Sequence, residues 1–463
     1  MRSIDALVLL LYAGFLLYLG IKVIRKSAVT TSLDFLLGGR SLTLPAFVAT
    51  LVSTWYGGIL GVGEFTYRFG ISNWLVFGVP YYLAAVVFAL LIAKKARREE
   101  LYTIPQQIDR VYGKSPSLLS AGIIFLMTTP AAYVLMLGVL IQFFFNLPLW
   151  ICIVIGTLFS TVYVFIGGFR SVVKTDELQF SLMFAGFLII TILSIVKFGG
   201  IDFLRASLPA QHFSWHGGQG AGYIFVWYFI ALATMIEPAF YQRCFAAKNE
   251  SVAKKGILVS VLFWVLFDFL TTTSGLYARA VLPHLQNPVT SYLELGKTVL
   301  PPFVYGLFLA GLLSTIMSTV DSYTFVAAMT LGRDVFARMR NNMTDAKINS
   351  YTKIGIIISG ILSIAIAMYG KSVIRIWKDL GSIGTPALLL PTLSSFWPRF
   401  KMSNRAATLA MLSGAAVSGF WILSKELPVH DKPGYLLGVE PIYAGLFITS
   451  IIYIVDRIFK EKE

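Results

Sequence analysis

The chain has 463 residues, of which 57% are hydrophobic and only 13% charged, with a mean hydropathy of +0.75. A soluble domain carries about 25% charged residues, so a cytosolic fold is excluded and an integral membrane protein is expected. The net charge of +15 then reads as loop chemistry in contact with anionic membrane lipid, with no nucleic-acid partner implied.

About thirteen apolar stretches are long enough to cross roughly 30 Å of hydrocarbon. They begin near Ile4, Leu42, Ser72, Leu118, Leu149, Asp176, Gly222, Lys255, Pro302, Lys353, Ile383, Ala406 and Leu437. No alternating ten-residue pattern suggests a barrel, so the expected fold is an all-α bundle. The first stretch follows only Arg2, precedes Lys22, Arg25 and Lys26, and lacks a small-residue cleavage site. It reads as a retained helix, not a signal peptide. Most basic residues, among them Lys94, Lys95, Arg97, Arg98, Arg333, Arg338 and Arg340, follow odd-numbered stretches. That asymmetry predicts a multi-pass cell-membrane protein with its N-terminus outside and its C-terminus in the cytoplasm.

One transmembrane domain, 1–463, is expected: a leading helix and loop (1–41), two sets of five spans (42–199 and 222–398), and two trailing helices with a short tail (406–463). Five is odd, so the second set enters the membrane from the opposite side, the arithmetic of an inverted repeat. Both sets open on a segment that interrupts a helix: Ser53-Thr54-Trp55-Tyr56-Gly57-Gly58 in the second span and Thr234-Met235-Ile236-Glu237-Pro238 in the seventh. Paired breaks point to a binding site where freed carbonyls can hold a cation. Close helix packing at the glycines and a simple proline kink are the alternative.

Asp268, Glu237 and Asp321 fall inside spans, Asp176 and Glu64 near span ends, and no lysine or arginine is expected at comparable depth. A charged carboxylate at the bilayer centre costs about 2.5–3.5 kcal/mol and needs a partner, water or a proton. If the protein supplies no cation, solution must, which suggests a cation pathway; protonation or helix capping is the alternative. In the ninth span, helical spacing puts Thr315, Ser318, Thr319 and Ser322 on one face. Such hydroxyls suit sodium, a hard ion that prefers oxygen ligands, although serines also join membrane helices. Cys152 and Cys244 give no disulfide framework. His212, His216, His284 and His430 all lie between apolar runs, which disfavours haem, an intramembrane zinc protease or a histidine proton relay.

Four motifs in order carry a resemblance to the sodium:solute symporter family: Asp34-Phe35-Leu36-Leu37-Gly38-Gly39-Arg40-Ser41-Leu42; Gly167-Gly168-Phe169-Arg170-Ser171-Val172-Val173-Lys174-Thr175-Asp176; Glu237-Pro238-Ala239-Phe240-Tyr241-Gln242-Arg243 with Ala246-Ala247-Lys248; and Met317-Ser318-Thr319. The resemblance implies the leucine-transporter-type five-plus-five inverted repeat with one leading and two trailing helices. It implies a sodium site of backbone carbonyls at Ser53 and Tyr56, with Thr315, Ser318 and Thr319 opposite and Asp176 nearby. Substrate contacts are implied at Gly57, Leu60, Glu237 and Asp268. Sugar-transporting members carry amide or basic groups at some of these positions, so Glu237 disfavours a sugar. Carboxylates beside Trp55, Tyr56, Trp227, Tyr228 and Trp264 suit an amine, amino acid or quaternary ammonium compound. The expected activity is import of a small organic solute by alternating access, with Na+ as coupling ion, no other cofactor and no enzymatic step. A proton-coupled symporter of the same fold and a membrane-embedded solute sensor are the rival functions. The oligomeric state is not encoded in any feature of the sequence.

Overall fold

Apolar runs surrounded by hydrocarbon close their hydrogen bonds within themselves, and the computed structural model is helical nearly throughout. It describes residues 3–26, 31–340, 344–370, 373–426, 428–429, 432–433 and 435–460; Arg2, His430 and the side chains of Lys22, Arg25 and Lys26 lie outside the described residues. The spans are α1 (Ser3–Lys26), α2 (Leu44–Trp55 continued by Ile59–Phe69), α3 (Trp74–Leu91), α4 (Lys114–Phe145), then α5 and α6, the two parts of Leu149–Phe198. There follow α7 (Ala221–Ala246), α8 (Glu250–Val281), α9 (Val304–Ala337), α10 (Asp345–Tyr369), α11 (Val373–Ser395), α12 (Asn404–Leu423) and α13 (Pro441–Lys460). Among the described residues ten helical segments are long and apolar enough to cross, or eleven with the bent pair of α2. Dividing the 50-residue Leu149–Phe198 helix adds one crossing, and the less apolar α11 adds another, which gives the thirteen expected.

Local chemistry sets the boundaries. The Asn249 side chain accepts the Val252 N–H (2.9 Å) at the start of α8, and Ser403 accepts the Ala406 N–H (3.1 Å) at the start of α12, each satisfying a donor that the helix leaves free. α5 passes into α6 at Gly168, whose φ of 60° favours glycine. A Cβ there would also lie 2.6 Å from the Phe35 carbonyl oxygen. α9 is the centre of the bundle, with 83% of its apolar stretch buried, whereas α13 at 17% is peripheral.

Three of the four motifs meet at one end of the molecule. Arg170 donates to Asp34 (2.8 Å). The Leu42 N–H donates to the Ala246 carbonyl (3.0 Å), and the Lys248 N–H to the Leu42 carbonyl (2.9 Å). Arg97 donates to the Ala247 carbonyl at 2.6 Å. The start of α2 is thereby tied to the end of α7, at the end expected to face the cytoplasm.

Candidate functional site

Both expected breaks are present. α2 stops at Trp55, passes through Tyr56–Gly58 and resumes at Ile59 with a bend of 58°. α7 tightens to a 3-10 turn over Ala231–Ile236, extends at Glu237 (φ −69°, ψ 110°) and resumes at Pro238, which suits the first helical position.

The α2 break leans on the hydroxyl face of α9. The Ser318 hydroxyl is 2.6 Å from Asp176 Oδ1 and 2.9 Å from the Ser53 hydroxyl, and Ser53 itself donates to the Ala49 carbonyl (2.8 Å). Two hydroxyl hydrogens serve three close contacts here, so one oxygen–oxygen approach is left for a cation or another proton. Thr319 donates to the Thr54 carbonyl (2.6 Å), and Thr315 to the Gly311 carbonyl (2.8 Å). The Tyr56 carbonyl accepts the Ile59 N–H (3.0 Å), while its phenol donates to the Trp264 carbonyl (2.9 Å). Ser53, Asp176, Thr315, Ser318 and Thr319 are fully buried.

On the other side of the break lies a cavity of about 180 Å³. Trp55, Tyr56, Phe77, Tyr81, Tyr133, Trp227, Tyr323 and Trp377 supply its aromatic walls, and Glu237 and Asp268 its carboxylates; no lysine or arginine lines it among the described residues. Glu237 also caps its own helix by accepting the Ala239 N–H at 3.3 Å, and Asp268 receives the Tyr82 hydroxyl. Thr234 Oγ1, on the cavity wall, is buried without a hydrogen-bond partner. Gly58 allows the Trp377 ring to close over the break, since a Cβ there would come within 1.8 Å of the indole.

Of the four residues named for substrate, Glu237 and Asp268 line this cavity. Gly57 and Leu60 are not among its lining; Gly58 and Val62 stand there instead. Gly57 faces Thr319, whose Oγ1 would lie 2.2 Å from a Cβ at that position, and Leu60 is fully buried. Asp321 is held by the hydroxyls of Ser160 and Tyr163, away from the cavity. One expectation is overturned. No lysine or arginine was expected as deep as the carboxylates, yet Arg243 is fully buried and lies 3.8 Å from Asp176. The reason is that α7 continues past Pro238 to Ala246 and carries Arg243 inward, where its Nη2 donates to Thr50, Thr54 and Ser322 at 3.0, 2.9 and 2.7 Å. Asp176 therefore has a cation from the protein.

A sequence model of the sodium:solute symporter family matches residues 35–414. The chain is 25% identical over 451 residues to the osmoregulated proline transporter of Bacillus subtilis (strain 168), covering 90% of this chain and 89% of that protein. It is 24% identical over 476 residues to the sodium/pantothenate symporter of Escherichia coli (strain K12), with 98% and 96% covered. The fold matches a Na+-coupled sialic acid symporter in a substrate-bound outward-open state, with a TM-score of 0.81 and 15% identity over 99% of this chain and 97% of that one.

Proposed function

The chain belongs to the sodium:solute symporter family, a family of transporters and not enzymes, and from that premise we propose that it imports a small cationic solute, an amine or quaternary ammonium compound, with sodium by alternating access. The observation that carries this reading is a cavity lined by two carboxylates, Glu237 and Asp268, by eight aromatic residues and, among the described residues, by no basic side chain. A cation in such a site gains charge pairing and aromatic-face attraction together. An acidic solute would meet two like charges there. The relatives named above take proline and pantothenate, so family membership leaves the solute open and the choice rests on the lining of the cavity.

In this proposal sodium binds among Ser53, Thr315, Ser318 and Thr319, with carbonyls of the α2 break and Asp176 nearby. Its effect on the solute runs through the break itself. Thr319 bonds the Thr54 carbonyl, Gly57 packs on Thr319, and the next residues on either side, Trp55, Tyr56 and Gly58, line the cavity. An ion that fixes the break therefore fixes part of the solute site. By linkage the solute tightens sodium binding by the same factor, typically about 1–3 kcal/mol. With the N-terminus outside and two five-span repeats rocking about the site, each positive charge entering contributes about 2.3 kcal/mol per 100 mV.

A thermal-shift screen of the purified protein tests the solute class, with choline, dimethylamine, proline, pantothenate and sialic acid each measured in sodium and in potassium. The reading expects stabilisation by the cations, larger in sodium. Stabilisation by the acids alone refutes the cationic solute, and stabilisation that follows pH and ignores sodium favours proton coupling through Glu237 or Asp268.

A further inference from the structure

The two carboxylates of the cavity come from different helices, and each has its own partners. Glu237 caps the resumed part of α7, accepting the Ala239 N–H at 3.3 Å, and Tyr133 and Tyr323 lie within its electrostatic reach. Asp268 stands midway along α8, receives the Tyr82 hydroxyl and has Tyr56 beside it. Neighbouring residues of α3 divide between the two: Tyr81 is within reach of Glu237, whereas Tyr82 bonds Asp268. Consecutive side chains leave a helix about 100° apart, so the carboxylates face the cavity from two sides. Between them lies Trp55, its ring 5.5 Å from that of Tyr81 and 5.3 Å from that of Trp264, one turn before Asp268.

We infer that the solute is a short linear diamine, with one ammonium on Glu237, the other on Asp268, and its methylene chain along Trp55 and Tyr81. This rests on the cationic-solute reading above and narrows it to one class. Both carboxylates accept hydrogen bonds, the arrangement of the charged form, and a helix start favours that charge at Glu237. Arg243 does not line the cavity and is matched by Asp176 at 3.8 Å. Two negative charges thus face one apolar cavity, and two positive charges on one solute pair both. A monocation such as choline enters the same cavity but leaves one buried carboxylate without a partner, which weakens its binding. Aromatic faces on either side suit the methylenes and the ammonium ends alike.

The test compares the dissociation constants of 1,4-diaminobutane and butylamine, the same chain with one charge, by calorimetry on the purified full-length protein in saturating sodium. The wild type should prefer the diamine by roughly tenfold or more. Glu237→Gln and Asp268→Asn should each bring the ratio close to one, since either leaves a single carboxylate. A merely structural role lowers both affinities and leaves the ratio in place. Across linear diamines of two to eight carbons, affinity should peak at one length, set by the fixed carboxylates, while alkylamines tighten steadily with length. Equal wild-type affinities overturn the inference, as does a ratio retained in either folded variant or a diamine series that only rises with length. In those cases, binding of butylamine or choline still upholds the cationic-solute reading. Should a variant fail to fold, the wild-type ratio and the length series decide. Binding of proline or pantothenate with no amine bound removes the cationic-solute reading itself.

Discussion

Replacing Ser318 and Thr319 together by alanine removes two hydroxyl oxygens from the proposed ion site while leaving the backbone of α9 in place. Ser318 lies 2.6 Å from a carboxylate oxygen and Thr319 2.6 Å from the Thr54 carbonyl, so both hydroxyl oxygens already sit among the oxygens that the proposed ion would share. Contacts to a charged partner are worth about 1.5–3 kcal/mol each, and 1.4 kcal/mol is tenfold in affinity. The pair should therefore weaken sodium binding by roughly 100-fold or more. Stability should fall as well, because Asp176 Oδ1 loses a buried donor at a cost of about 1–3 kcal/mol. The thermal midpoint without sodium measures that effect separately from the sodium titration. The assay is the half-saturating sodium concentration, read by the sodium-dependent shift of that midpoint. A folded double variant with unchanged half-saturation would refute the placement of the ion between α2 and α9.

Glu237→Gln should shift preference from cationic toward neutral solutes in a competition assay with little change in half-saturating sodium; weakened sodium binding with unaltered preference would assign Glu237 to the ion. Gly58→Ala should abolish solute binding and destabilise by about 1–3 kcal/mol, since its Cβ meets the Trp377 indole, and in a denaturation measurement the same substitution should cost less in a Trp377→Ala background. Burial lowers the His212 pKa below the ordinary value of 6.5, and its Nε2 lies 3.1 Å from the Tyr67 carbonyl. The unfolded chain takes up that proton first, so stability is lost as pH falls from the unfolded value through the lower folded one. The thermal midpoint of the wild type should fall more between pH 7 and pH 5 than that of His212→Gln. Arg170→Ala, which breaks a partly exposed pair with Asp34, should cost no more than about 1 kcal/mol by the same denaturation measurement.

The parts of this architecture that depend on local chemistry were legible in the sequence. Pro238 marks the second break because proline acts on its own backbone, and Gly57-Gly58 mark the first by the room they leave for Thr319 and Trp377. The hydroxyl face of α9 follows from helical spacing alone. What was not legible depends on packing between distant segments. Arg243 looks like a loop cation to any hydropathy reading, because its acceptors Thr50, Thr54 and Ser322 come from other helices. Gly57 and Leu60 could not be told from Gly58 and Val62, since an interruption at Tyr56–Gly58 resets the phase of the helix that follows. Tyr133, Tyr323 and Trp377 gave no signal in a chain with 14% aromatic residues; only the bend of α2 and the approach of α11 bring them to one cavity.

The central claim is that sodium moving down its gradient drives a cationic solute through the cavity beside the α2 break. Its most direct test is accumulation of radiolabelled choline in vesicles reconstituted with the purified protein, with the membrane potential clamped at zero and an inward gradient of either sodium or potassium. The account predicts accumulation above equilibrium with sodium, none with potassium, and loss of the sodium effect in the Ser318→Ala, Thr319→Ala double variant. Equal accumulation under both gradients, or none under either, would contradict it.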